Sequence, residues 1–249
     1  MRLRVMTYNI HKGIGGIDRR YDPDRIVATV SHYAPDLLLL QEVDDGVPRS
    51  RQHRQVDLLG EALDFPHRVF QPNVQLRQGA YGNAILSRFP VREHWDIELT
   101  IRPKKRRRAQ VTKLRLPLGD TDHVASRTLV LVNLHLGLAA FERRMQLRKL
   151  LADPGLAGIH ADTPTIMGGD FNDVWQNLGV RLLQNHSFQS ALGHTKTFPA
   201  AYPLRCLDGL YFRGNVRLDH AFAGQTELVR QASDHLPGIA DFELTSTPP

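Results

Sequence analysis

The hexapeptide Gly-Gly-Asp-Phe-Asn-Asp at positions 168–173 sets Asp170, Asn172 and Asp173 directly behind the apolar run Thr165-Ile166-Met167. A carboxylate at the end of a buried strand is costly to desolvate unless a cation or hydrogen bonds compensate it, so Asp170 demands a chemical reason. The demand recurs along the chain. Glu42 closes Leu37-Leu38-Leu39-Leu40-Gln41, His135 ends the run from Leu129 to Leu134, and Asp234-His235 fills a short polar break before Leu236-Pro237. Asn9 and Asn172 add neutral amide oxygens of the kind hard cations accept, and no Cys-rich or closely spaced His cluster suggests zinc. If the carboxylates of Glu42, Asp170 and Asp234 converge, their mutual repulsion in a low-dielectric cleft implies a bound cation, magnesium or, alternatively, manganese. These are the parts of a metal-assisted hydrolase.

Two histidines carry more weight than the rest, His135 behind a buried strand and His235 at the mouth of a final one. An imidazole there shuttles protons near neutral pH or, when charged, stabilises a phosphoryl transition state. Asp208, in Leu207-Asp208-Gly209-Leu210, is a carboxylate of the type that fixes a histidine's tautomer and orientation. Taken singly, each residue also has an ordinary structural explanation: a side-chain-bonded turn at Asp170 to Asn172, a salt-bridged strand end at Glu42, a satisfied donor at either histidine.

The elements that must position these groups follow from hydrophobic periodicity. Residues 2–9 alternate as a half-buried strand does, leaving Asn9 at its end. A helix is expected from Asp22 as N-cap, with Pro23 in its first turn, Ile26, Val27, Val30 and Tyr33 inward, and Pro35 beyond its end. Further strands are expected at 36–41, 82–87, 109–116, 128–136, 164–169, 207–212, 217–223 and 237–244, and a helix at 55–64. Phe141, Met145, Leu147, Leu150 and Leu151 predict an amphipathic helix whose other face carries Arg143, Arg144, Arg148 and Lys149. Many strands and few helices argue for two packed sheets with helices outside, in an α/β fold. No linker-like stretch divides the chain, so a single domain over 1–249 is expected.

Composition narrows the class. With 249 residues and 41% hydrophobic content the chain can bury a substantial core. The formal charge of +6 and a pI near 9.7 favour a phosphate-bearing or polyanionic partner, although a basic surface also serves solubility alone. One cysteine, Cys206, precludes an intrachain disulfide and fits a reducing compartment. No apolar stretch suits a signal peptide or a membrane helix, so a cytoplasmic protein is expected, with no membrane anchor and no obligate protein partner.

Taken together, YNIHKG (8–13), LQEVD (40–44), GNAILS (82–87), NLHLG (133–137), GGDFND (168–173), TFPA (197–200), LDGLYF (207–212) and SDHLP (233–237) resemble the endonuclease/exonuclease/phosphatase family, in the family's order. Any one match is weak; eight in order are specific. The resemblance implies a four-layer α/β sandwich, two packed mixed β-sheets flanked by helices, with a divalent-metal site at one edge. By position, Asn9 and Glu42 resemble the first metal-binding pair and Asp234 a further metal-side carboxylate. Asp170 and Asn172 resemble the pair that positions the attacking water and the phosphate. His235 resembles the general base or phosphate-binding histidine, Asp208 its orienting partner, and His135 the histidine that assists the leaving group. Asp170 and His235 stay open as alternatives for the base.

Two departures stand out. Gly209 occupies a place where the family usually has an aromatic, which removes a packing ring beside Asp208. The run Lys104-Lys105-Arg106-Arg107-Arg108 covers the place of a single phosphate-reaching arginine, Arg107 by alignment to Ala109, and reads equally as a solvated charged loop. The expected activity is a magnesium-dependent phosphodiesterase that uses in-line attack of water on nucleic acid or on a lipid or small-molecule diester. The alternatives are a phosphomonoesterase on the same site and a non-catalytic member that binds a phosphate-bearing polymer.

Overall fold

In the computed structural model, residues 1–118, 125–174 and 179–245 are described. In chain order the elements are β1 (Arg2–Asn9), α1 (Pro23–Tyr33), β2 (Leu37–Asp45), α2 (Gln55–Ala62), β3 (His67–Gln75), β4 (Ala80–Ser87), β5 (Val91–Glu98), β6 (Arg108–Leu118), β7 (Ala125–His135), α3 (Ala140–Leu151) and α4 (Pro154–Ala157). They continue with β8 (Thr165–Asp170), α5 (Gly179–Gln184), β9 (Gln189–Ser190), β10 (Asp208–Arg213), β11 (Val216–Ala223), α6 (Glu227–Ala232) and β12 (Gly238–Leu244). The strands form two six-stranded sheets, ordered β11-β12-β1-β2-β4-β3 and β5-β6-β7-β8-β10-β9. Each is mixed: β1 runs parallel to β2, and β7 to β8, while the other pairs are antiparallel.

Side-chain alternation sorts the apolar residues into three slabs. Leu3, Val5, Leu37, Leu39, Leu129, Leu131, Ile166 and Leu210 fill the space between the sheets. Met6, Tyr8, Leu38 and Leu40 face the other way, against Ile26 and Val30 of α1, Leu59 of α2 and Val229 of α6. Val130, Val132 and Leu134 likewise pack on Leu147 and Leu150 of α3, Leu156 of α4 and Leu183 of α5. Central strands buried on both faces explain why 37–40 and 129–134 read as continuous apolar runs. The result is the expected four-layer sandwich.

Two long strands escaped the periodicity reading, β3 and β5, and both are sheet edges. Edge strands carry charge and proline to resist pairing with other chains, as Arg92, Glu93 and His94 in β5 and Pro72 in β3 do, and this erases the alternation. The expected faces of α3 also need correction. Phe141 and Met145 are exposed, whereas Glu142, Arg143 and Gln146 are buried. Their polar atoms secure the segment after β7: Gln146 Oε1 accepts from the Gly137 amide at 2.8 Å, Arg143 donates to the Leu138 carbonyl, and Arg143 lies 3.8 Å from Asp173. Among the described residues no helix is long and apolar enough to cross a membrane.

Candidate active site

Strand parity explains how the polar residues gather. On β7, residues 129 and 131 face the opposing sheet, so Asn133 and His135 do too; on β8 the same parity holds for Ile166, Gly168 and Asp170, and on β10 for Asp208, Leu210 and Phe212. In the register of these three adjacent strands, His135 pairs with Asp170 and Asp170 with Asp208, forming one row at a sheet end. On the facing sheet Asn9 ends β1 with the parity of Val5, and its neighbour on β2 is Gln41.

Glu42 reaches the same place by a different device. Parity would turn it away from the opposing sheet with Leu38 and Leu40, but the pairing of β2 with β4 slips between Leu40 and Val43, and Glu42 adopts φ +57. Such a bulge re-aims a side chain at the cost of local strain. Below it, Gln41 Nε2 donates to Asn133 Oδ1 at 2.8 Å, and Asn133 Nδ2 donates to the carbonyls of Leu40 and Ala84, each at 2.9 Å. This fully buried bridge ties one sheet to the other beneath the site. Gly168 lets them approach, since a Cβ there would stand 2.6 Å from Leu39 Cδ1.

These groups open onto a cavity of about 560 Å³ whose lining includes Asn9, Glu42, Arg107, His135, Asp170, Asn172 and His235. Asp170 is held from several sides: its Oδ2 accepts from Asn9 Nδ2 at 3.1 Å, its Oδ1 from the Asn172 amide at 2.9 Å, and Nε2 of His135 and His235 lie 3.5 and 3.8 Å from Oδ2. Asn172 takes φ 50, a conformation asparagine tolerates, and its Nδ2 donates to the Leu136 carbonyl. Asp208 stands behind the wall, its Oδ2 2.8 Å from His235 Nδ1 and its amide donating to Thr197 Oγ1. Asp234 is not among the lining residues; it is half-buried, with Oδ1 3.8 Å from His11 Nδ1 and 3.4 Å from Ser233 Oγ.

The electrostatics pull the two histidines apart. Burial lowers the pKa of both, and for His135 the nearby Arg107 lowers it further, to about 4. For His235 the carboxylates of Asp208 and Asp170 outweigh burial and raise it to about 10. Burial raises Asp170. At Glu42 burial acts upward too, but His135 and Lys12 overcome it and bring the carboxyl down to about 2. A protonated His235 beside a neutral His135 is the kind of separation that assigns different jobs to like residues.

Within the basic run, Arg106 and Arg108 pair with Glu98 on β5, and Arg108 also with Asp96. Arg107 is half-buried, lines the cavity, and its Nε is buried with no hydrogen-bond partner among the described residues. The ring expected to be missing at Gly209 is supplied from elsewhere: a Cβ there would meet Tyr211 at 2.8 Å and Phe171 at 3.0 Å, and those two rings pack edge to face.

Three residues of this region were not singled out by sequence reasoning. Lys12, inside the YNIHKG motif, forms an ion pair with Glu42. Tyr81 lines the cavity with Lys12 Nζ 5.5 Å from its ring centre, and Arg205 lines it too. Lys12 and Tyr81 sit within or beside recognised motifs, so position was a usable signal; Arg205 lies outside any motif.

Glu42 and the Asn9, Asp170 and Asn172 oxygens offer only hard donors, and no donor among the described residues bonds Asn172 Oδ1. The carboxylate of Glu42 already draws a cation, the Lys12 ammonium. This donor set suits a divalent oxygen-seeking ion. Asp170, Asp208 and His235 also cluster within 4.8 Å and form a second group able to hold a cation; Asp208 bonds His235 Nδ1, which leaves Nε2 facing Asp170.

The chain belongs to the endonuclease/exonuclease/phosphatase family, whose profile matches residues 6–241. It is thereby placed among hydrolases of phosphate esters. It is 28% identical to the Escherichia coli K12 protein YbhP over 256 residues, covering 97% of this chain and 96% of that one. Its fold is similar to the endonuclease/exonuclease/phosphatase structure from Beutenbergia cavernae, with TM-score 0.80 and 23% identity over 98% of this chain and 72% of the other. It is also similar in fold to a mannosyl-6-phosphatase of Bacteroides thetaiotaomicron, with TM-score 0.75 and 16% identity over 97% and 100% of the two chains.

Proposed function

We propose that this protein is a magnesium-dependent phosphodiesterase that cleaves by in-line attack of water. The observation that carries the reading is the row His135, Asp170 and Asp208-backed His235, in which two buried imidazoles flank a single buried carboxylate.

Glu42 and Asn9 would hold the metal, which when bound supplies positive charge against the phosphoryl and leaving oxygens. Asp170 accepts the proton of the attacking water, because His235 already carries its own between two carboxylates and burial raises the Asp170 pKa. His235 and Arg107 present fixed positive charge to the oxygens of the trigonal-bipyramidal phosphorus, and Asn172 positions the water. His135 donates a hydrogen bond from a neutral ring to the leaving side. Asp234 acts through its field on His235, which it helps keep protonated.

A diester continues on both sides of its phosphorus, and the cavity leads past Lys104 and Arg106 into an exposed groove that shares those residues and reaches Met145 and Lys149. This favours a diester over a monoester. The second reading, a phosphomonoesterase, draws on the likeness of fold to the mannosyl phosphatase. Magnesium-dependent hydrolysis of bis-p-nitrophenyl phosphate in preference to p-nitrophenyl phosphate is the expected result. The reverse preference would establish the second reading, and binding of phosphate without turnover of either substrate would exclude both.

A further inference from the structure

Eight large hydrophobic side chains are exposed among the described residues, and five of them, Leu138, Phe141, Met145, Tyr202 and Leu204, lie in segments that carry cavity-lining or groove-lining residues. Leu138 lines the cavity itself and is 79% exposed. Phe141 and Met145, four residues apart on α3, share a face, and Met145 continues into the adjoining groove. Phe198 and Arg205 line the cavity and bridge to each other, so the segment 199–204 is the loop between two wall residues, and it carries Tyr202, 73% exposed, and Leu204.

Lys104, Lys105 and Arg205 line the cavity, and Arg144 and Arg148 are exposed on α3 together with Phe141 and Met145. Lys104, Lys105, Arg144, Arg148 and Arg205 are exposed and form no ion pair among the described residues. Glu98, the acid of the adjoining groove, is engaged by Arg106 and Arg108. Exposed aliphatic groups interleaved with unpaired lysine and arginine match a bilayer interface, where the apolar groups enter the acyl boundary and the cations meet lipid phosphates. Phe141 and Tyr202 could stack on bases, but Leu138, Met145 and Leu204, the majority of the five, offer a nucleic-acid strand no such surface, and a protein interface is depleted of lysine.

We infer that these residues form a docking surface for an anionic lipid bilayer, with Phe141, Met145, Tyr202 and Leu204 entering the headgroup region. The consequence for catalysis, that the phosphoester attacked is presented at a bilayer surface, rests on the hydrolytic reading of the cavity; the docking itself does not.

Flotation of the full chain with vesicles tests it, using phosphatidylcholine alone and phosphatidylcholine mixed with phosphatidylglycerol. The chain should float with the mixed vesicles and not with the neutral ones. The Phe141→Ser/Leu204→Ser and Arg144→Glu/Arg148→Glu variants should each lose about tenfold in vesicle affinity while their soluble diester hydrolysis and thermal transition stay those of the parent. Absence of flotation, equal flotation with neutral vesicles, undiminished flotation of folded variants, or capture by an oligonucleotide with vesicles ignored would each overturn the proposal. A chain that floats yet hydrolyses no phosphoester upholds the docking surface and removes the hydrolytic reading.

Discussion

His235 Nδ1 stands 2.8 Å from Asp208 Oδ2 with both residues almost wholly removed from water, and this contact raises the imidazole to about 10 against the pull of burial. Asp208 therefore governs the charge as well as the orientation of His235. Replacing Asp208 by Asn should lower kcat/KM by roughly 10²- to 10⁴-fold and move the alkaline limb of the pH–rate profile to lower pH. An unchanged alkaline limb in that variant would show that Asp208 does not set the His235 charge.

The two histidines also predict how stability responds to pH. The folded value for His235 lies above its ordinary 6.5, so its stabilisation is complete below 6.5 and is lost as pH rises through about 10. For His135 the folded value lies below 6.5, so its contribution is present above 6.5 and is lost as pH falls toward about 4. Urea midpoints measured across this range should decline in both directions. His135→Gln should flatten the acid side alone.

At the metal-binding end, Glu42→Gln should abolish magnesium-dependent turnover without unfolding the chain, because it removes a charge from a cavity wall rather than a core contact. Lys12→Met should lower the magnesium concentration that half-activates the enzyme, since the ammonium occupies a Glu42 oxygen. A magnesium titration of both variants decides this. Full activity of Glu42→Gln at saturating magnesium would remove Glu42 from the metal site.

The bridge between the sheets is a stability element. Asn133→Leu removes one donor from each of the Leu40 and Ala84 carbonyls and one acceptor from Gln41 Nε2, so it should cost about 1–3 kcal/mol in chemical denaturation. A variant as stable as the parent would mean that the leucine is fully accommodated between the sheets.

Beside Asp208, Gly209→Ala would push a Cβ to 2.8 Å from the Tyr211 ring and should destabilise the fold by about 1–3 kcal/mol. Thermal unfolding of this variant shows whether the Phe171 and Tyr211 rings already fill the space.

Much of this architecture was legible from local pattern. The runs at 37–40 and 129–134, the N-terminal proline of α1 and the ordered motifs pointed to two buried sheets and to Asp170, His135 and His235 at strand ends, because a period of two and the desolvation of a strand-end charge are local properties. Edge strands β3 and β5 were silent because their solvent-facing residues carry charge and proline. In α3, Phe141 and Arg143 exchanged their expected places because polar side chains were needed to fasten the cavity wall at Gly137 and Leu138.

By itself the sequence determined which residues close buried strands and which chemistry their types allow. Only the tertiary structure decided which of them meet. The bulge turns Glu42 to Lys12, register aligns His135, Asp170 and Asp208, and Asp234 is left out of the cavity lining, because side-chain direction at a bulge and alignment across strands depend on partners distant in the chain. The opposite pKa shifts of His135 and His235 have the same origin: one imidazole is packed near Arg107 and the other against Asp208.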